Sequence, residues 1–390
     1  MNNFTSPNSK NIMSYNHLFT KIAIFSFLFS CFSCTFCFSQ NILIGTYTNT
    51  GKSEGIYYYG FDATKGKANY ISKIVIEDPS FLTTGLNNQL IYSVDELANK
   101  LGGVTAIRFN KATGSMEKLN SVLSQGDHPC HVTIDSKNRF VFVANYTSGS
   151  LKAIKINKDG GLDSTAQTIQ HIGKSINASR QEKPHVHSSI LSPDEKYLLV
   201  QDLGTDQITV HSIDFLNAAS PLSPQPVSVF NTTPGSGPRH LTFHPKKSIA
   251  YSVQELDGTV NVMKFKKGKL TLLQTITMVQ KNETRKNGAA DIHISPDGKF
   301  LYASNRGEFN ELVIYSIESN GTLNYVSTQS TMGKGPRNFG IDPSGNYLLV
   351  ANQLSDEIVI FKRDKSTGLL TDTNNRIKIG APVCIKFIAN

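Results

Sequence analysis

The sequence predicts an all-β fold, a seven-bladed β-propeller whose ring is closed by the N- and C-terminal strands in one blade. Three observations carry this. A phrase recurs about every fifty residues, a period that marks propellers and solenoids. Its two clearest copies are GPRHLTFHPKKSIAYSVQE, from Gly237 to Glu255, and GPRNFGIDPSGNYLLVANQ, from Gly335 to Gln353. Each copy holds short alternating runs separated by turns, and no segment shows a sustained helical period. Finally, the last copy, Ala381-Pro-Val-Cys-Ile-Lys-Phe387, stops after one strand, while the chain near Asn41 supplies strands with no opener before them.

Taken in chain order, residues 1–40 read as a secretory signal peptide. Lys21 precedes the apolar run IAIFSFLFSCFSCTFCF, and small or polar residues, Ser39 and Gln40, follow it. Cys31, Cys34 and Cys37 leave a lipid anchor as an alternative. The propeller domain is expected over 41–390. Asn41-Ile-Leu-Ile-Gly-Thr-Tyr47 and Gly55-Ile-Tyr-Tyr-Tyr59 are strands of the closing blade. Copies of the phrase then start near Pro79, Pro129, Pro184, Pro238, Ala290, Pro336 and Pro382. Within a copy, an opening Pro leads to a strand such as His240–Phe243. A turn follows, Ser295-Pro-Asp-Gly298 or Asp342-Pro-Ser-Gly345, with Pro second and Gly fourth as a type I turn favours. A β-branched or aromatic strand such as Tyr347–Val350 comes next, then a third such as Glu357–Phe361. Four-stranded units in tandem are propeller blades. Closing the ring with both termini removes the open sheet edge.

The bulk numbers narrow the function. The chain has 390 residues, 39% hydrophobic and 18% charged, with a net charge of +9. The basic residues are scattered rather than gathered with aromatics on one face, which argues against a nucleic-acid surface. No segment after residue 40 is long and apolar enough to span a membrane. Only Cys130 and Cys384 follow the leader. They fall in blades that are not neighbours, so both are expected free and buried, with no disulfide framework. The expected particle is an exported monomer, periplasmic or extracellular.

Aligning the copies maps the axis. The residue after the opener is Phe81, His131, His187, His240, Asp291, Asn338 and Cys384; fifteen residues later stand Glu96, Tyr146, Asp202, Glu255, Arg306 and Gln353, with Tyr47 in the opening blade. Flanking positions repeat one residue type, as Val143, Val200, Val253 and Val350 do, whereas the two aligned sets are varied and mostly polar. Positions that vary inside a constant frame line the shared axis. Three adjacent blades would bring together His185 and His187, then Arg239, His240 and Glu255, then Asn305 and Arg306. Arginine pairs with carboxylate or phosphate, and a Glu beside a His can move a proton or activate water. The set suits an anionic substrate and an acid–base step. His185-Val-His187 has a spacing that can bind a metal, but no further ligand motif completes a set. No metal and no cofactor are expected.

These phrases resemble the seven-bladed propeller lactonase family, which includes the propeller type of 6-phosphogluconolactonase and the fungal carboxy-muconate lactonizing enzyme. The matching features are Ile44-Gly-Thr-Tyr-Thr48, Asp78-Pro-Ser80, Val94-Asp-Glu96, Lys183-Pro-His-Val-His-Ser188, Gly237-Pro-Arg-His240, Gln254-Glu255 and Ser304-Asn-Arg306. The resemblance implies a hydrolase that opens a sugar-acid lactone by adding water in the central cleft. It implies His187 (or His185), Arg239, Glu255 and Arg306 as the catalytic set, with the arginines on the substrate anion and the lactone carbonyl. His131, His185, Asp202, His240, Asn305 and Arg337 are the expected substrate-binding residues. A non-catalytic envelope propeller that binds a sugar acid, and a lactonizing isomerase, are the alternative readings. Export also sits awkwardly with a phosphorylated substrate of the cytosol, so the lactone itself is left open.

Overall fold

A computed structural model of the chain describes residues 40–279 and 283–388. The expected signal peptide therefore lies outside the described residues, apart from Gln40. The described chain forms seven four-stranded antiparallel sheets. No α-helix occurs among these residues; two short 3₁₀ turns are the only helical pieces.

We number the blades from the one that closes the ring. Blade 1 takes its innermost strand from the C-terminus, Pro382–Ile388, and adds Gln40–Thr46, Gly55–Asp62 and Lys67–Val75. Blades 2 to 7 start with innermost strands Leu82–Thr84, Pro129–Ile134, Val186–Leu191, Pro238–Phe243, Ala289–Ile294 and Pro336–Ile341. Every innermost strand packs against those of the two neighbouring blades, so the seven form a closed ring.

The core is distributed. Seven apolar clusters each join two adjacent blades. Strand Tyr347–Asn352 shows why. Successive side chains on a strand face opposite sides, so Leu348 and Val350 pack toward blade 6 while Tyr347, Leu349 and Ala351 pack toward blade 1. A strand buried on both faces needs the near-continuous apolar run that the repeat displays. The expected turns are present. Gly298 N–H donates to Ser295 O at 2.8 Å and Gly345 N–H to Asp342 O at 2.7 Å, with both glycines in the left-handed region.

Candidate active site

The axis is lined twice over because of a shift in register. In blades 1 and 3 to 7, pairing of the two inner strands slips beside the opener. The extra residue is Val383, Cys130, His187, Arg239, Ala290 or Arg337. A bulge of this kind bends the strand and re-aims a side chain. Each strand thus contributes one residue at the bulge and the next one beside it, the second row being Cys384, His131, Ser188, His240, Asp291 and Asn338. In blade 2, Phe81 joins the second row, its ring 4.2 Å from that of His131.

Blade 4 corrects the sequence alignment by one residue. Val186 pairs with Asp202 there as Pro238 pairs with Gln254 and Pro336 with Asn352. The structural opener is Val186, two residues after Pro184, and the aligned residue moves by one, from His187 to Ser188. His187 is consequently the equivalent of Arg239 and Arg337, and Ser188 that of His240. In the set at the ends of the second strands, Leu203 takes the place expected for Asp202: Leu203 N–H bonds His185 O as Glu255 N–H bonds Gly237 O.

The second row closes on itself. His240 Nδ1–H donates to Asp291 Oδ1 at 2.8 Å, and His293 Nε2–H to Asp291 Oδ2 at 2.9 Å. Asn338 Nδ2 also donates to Asp291, and its Oδ1 accepts from Ile385 N–H at 2.7 Å. Burial opposes ionisation of Asp291, but His293 and His240 outweigh it and hold the carboxyl well below its ordinary value. Burial and then Arg239 push His240 down to about 4, against the pull of Asp291. His131 is likewise buried and neutral, lowered by burial and by His240.

The bulge row opens into a charged cup around Glu255. Its Oε2 receives Arg239 Nε at 2.9 Å and Arg306 Nη2 at 3.0 Å, and His187 Nε2 lies 3.9 Å away. Oε1 receives Arg180 Nη2 at 2.6 Å. Burial raises the Glu255 carboxyl, yet Arg306, Arg239 and Arg180 together drive it well below the usual carboxylate range. Arg239 is 1% exposed. Burial first, then Arg306 and Arg337, lower its guanidinium to about 10, still protonated at neutral pH. Its Nη1 donates to Ala290 O at 2.7 Å and lies 3.2 Å from His240 Nε2, so the second row orients the first. Across the cup, Tyr47 Oη donates to Glu96 Oε2 at 2.8 Å, Ser80 bonds the same carboxylate, and the Arg337 guanidinium sits 5.4 Å from the Tyr47 ring centre. Burial, then Arg239, His240 and Arg337, keep His187 well below the ordinary imidazole value, so it is neutral at pH 7.

Of the expected catalytic set, His187, Arg239, Glu255 and Arg306 meet in this cup, and Arg337 faces them from blade 7. The expected binding residues divide differently. His240 and His131 belong to the second row beneath. His185 stacks on Tyr146, ring centres 4.6 Å apart, and is 3.2 Å from Glu182 Oε1. Asp202 is fully buried inside blade 4, where it accepts from His171 Nδ1 at 2.8 Å and from His185 N–H at 2.8 Å. Asn305 is also fully buried and accepts from Gly288 N–H at 3.1 Å. Neither Asp202 nor Asn305 is placed to touch a ligand in the cup, because each ends a second strand one residue before the cup-facing position. Cys130 and Cys384 are free and buried, as expected.

Arg180 was not among the expected residues. It lies in 171–185, the longest connection between successive blades among the described residues, outside the repeat frame. The length of that connection was the available signal, since long loops on a rigid scaffold tend to be functional. Gly204 makes room for the loop's return: a Cβ there would meet Lys183 O at 2.0 Å.

The propeller axis thus holds a cup in which three arginines gather on one buried carboxylate beside a neutral imidazole. The family model described as Lactonase, 7-bladed beta-propeller, matches residues 41–387. A 6-phosphogluconolactonase of Bacillus subtilis is 35% identical over 350 residues, covering 88% of this chain and 97% of the relative. One from Formosa agariphila is 38% identical, covering 84% and 94%. Among solved structures, the Pseudomonas aeruginosa periplasmic gluconolactonase PpgL superposes with a TM-score of 0.85 at 34% identity, covering 90% of this chain and 99% of that one. The chain belongs to the seven-bladed β-propeller lactonase family and is a lactonase. No helix among the described residues is long and apolar enough to cross a membrane.

Proposed function

We propose that the protein hydrolyses the lactone of a sugar acid in the axial cup, with His187 as general base and Arg239 as oxyanion donor. The observation that carries this is the Glu255 carboxylate held by three arginines with a neutral imidazole beside it. A carboxylate so strongly stabilised is a poor base, so Glu255 organises the cup rather than taking the proton. His187 is neutral and free to accept one. In this reading Arg306 and Arg337 hold anionic oxygens of the substrate. Arg239 spends Nε and Nη1 on protein partners and offers Nη2 to the lactone carbonyl. His187 removes a proton from water as the oxygen adds to that carbonyl. Negative charge develops on the carbonyl oxygen against Arg239. When the tetrahedral centre collapses, the ring C–O bond breaks and His187 returns the proton to the leaving alkoxide. Glu255, 3.9 Å from His187 Nε2, stabilises the transient imidazolium, the role a buried carboxylate plays beside a catalytic histidine.

The test is hydrolysis followed by acid release, corrected for spontaneous opening, with 6-phosphoglucono-δ-lactone and glucono-δ-lactone as substrates. Turnover that Arg239→Ala removes supports the cup as the site. Turnover unchanged in that variant puts the chemistry elsewhere. We also propose that the chain is exported, in keeping with its N-terminal sequence and with a relative described as periplasmic. N-terminal sequencing of the protein from its native cell checks this; an intact Met1 or Met13 would overturn it.

A further inference from the structure

We propose that Arg180 is the specificity-determining residue of the cup: it leaves Glu255 as substrate enters and takes hold, with Arg306 and Arg337, of the anionic group on the lactone. This rests on the hydrolase reading above. Three features separate Arg180 from the other arginines. It alone bonds Glu255 Oε1, whereas Arg239 and Arg306 share Oε2, so its departure leaves the carboxylate doubly paired. Its side chain is 41% exposed, against 2% for Arg239 and 19% for Arg306. Its remaining side-chain partner is neutral, Tyr146 Oη at 3.1 Å. Water reaches the Arg180 end of this pair, and Glu255 keeps Arg239 and Arg306 when Arg180 leaves, so a substrate anion can take the place of Glu255.

The loop is built to present this side chain. Gln181, fully buried, donates from Nε2 to Leu203 O at 2.9 Å, and its Oε1 accepts from Asn177 N–H at 3.1 Å. Gln181 N–H and Arg180 N–H bond Asn177 O at 2.8 and 3.2 Å. The backbone of Arg180 is therefore pinned while its guanidinium reaches into the cup. The charges call for an anion. Four guanidinium groups, from Arg180, Arg239, Arg306 and Arg337, act on one another and, among the described residues, on three carboxylates, Glu255, Glu96 and Asp291, the last already held by His240, His293 and Asn338. A lactone bearing a phosphate monoester or a carboxylate would supply the missing negative charge; a neutral lactone would not.

The experiment compares wild type, Arg180→Gln and Arg180→Lys on 6-phosphoglucono-δ-lactone, on a sugar lactone bearing a free carboxylate, and on neutral glucono-δ-lactone. Losing a charge-assisted hydrogen bond to the substrate raises KM about 10- to 100-fold. That rise is expected for whichever anionic lactone Arg180 holds, with kcat changed less than about threefold and partial recovery in Arg180→Lys. The preference for charged over neutral lactone should fall by the same factor. A parallel loss on all three lactones, or no change in preference, overturns the proposal. Should wild type hydrolyse none of them, the function proposed above fails separately. Calorimetric binding of 6-phosphogluconate then tests Arg180 by itself: weakening in Arg180→Gln supports its role and unchanged binding ends it.

Discussion

Arg239 and His240 are neighbours in sequence, both almost wholly buried, and differ in what their partners leave undone. His240 donates its Nδ1–H to Asp291, which also accepts from His293 and Asn338, and the second row becomes a cross-braced plug between blades. Arg239 joins Arg306, Arg180 and Glu255 in a cluster with more positive than negative charge, walled by side chains that keep some exposure. The bulge produces both outcomes from one strand by sending two consecutive residues toward the axis. The axial polar residues of this propeller therefore split into a row that braces the ring and a row that lines the cup.

The largest effect expected from breaking this contrast is on turnover. Arg239→Ala should lower kcat about 10²- to 10³-fold, the usual cost of one oxyanion donor, while His240→Gln, which keeps a donor and an acceptor in place, should lower it less than about tenfold. Steady-state kinetics on the preferred lactone decides, and a reversed order would show that the rows have been assigned the wrong way round.

Stability gives the next largest signal. Glu255→Gln strands a buried Arg239 without its counter-charge, and breaking such a pair costs about 3–5 kcal/mol. Urea unfolding at pH 7 should show the midpoint fall accordingly. An unchanged midpoint would mean that the arginines are neutralised by other groups.

Acid sharpens the comparison within the second row. His240 has a folded value of about 4, below the ordinary histidine value of about 6.5. The unfolded chain then binds more protons between those values, so stability rises with pH across this window and falls as pH drops from about 6.5 to 4. The full effect is about 3 kcal/mol. His187 and His131, also depressed, add slope of the same sign. Asp291, depressed below the carboxylate range, contributes stability that is lost only at more acid pH. His240→Asn should flatten part of the slope in urea titrations at pH 4 to 6.5, and an unaltered slope would remove His240 as its source. For catalysis the same depression of His187 predicts that the acid limb of kcat/KM lies below the ordinary histidine range.

The smallest effect concerns the thiols. Burial pushes Cys130 and Cys384 well up, to about 11 for Cys384. Neither should react with a thiol reagent at pH 7 until the chain unfolds. Labelling of Cys130 in the native state would mean that the cup opens beside His187.

Much of this was legible from the chain. The period, the Ser-Pro-Asp-Gly and Asp-Pro-Ser-Gly turns, and the half-blades at the two ends fix seven sheets and their closure, because each is a local pattern repeated. Arg239 and Glu255 were legible because they stand in one of the clearest copies of the phrase, and Arg306 because it falls at the Glu255 position of the weaker Ala290 copy. The frame slipped in blade 4, where Pro184 stands ahead of the true opener Val186, and a one-residue slip in a strand exchanges its faces. That slip put Asp202 at the cup in place of Leu203.

The sequence by itself determined the ring, the row of arginines and the neutral chemistry of the flanking valines, since repetition turns local strand and turn preferences into a global shape. Only the tertiary structure decided which of two adjacent polar residues braces the axis and which opens to the cup, that Glu255 is held by three arginines, and that Arg180 arrives from outside the repeat. Those depend on a bulge in the pairing and on charges brought together from separate blades, and neither is written in the spacing of residues along one strand.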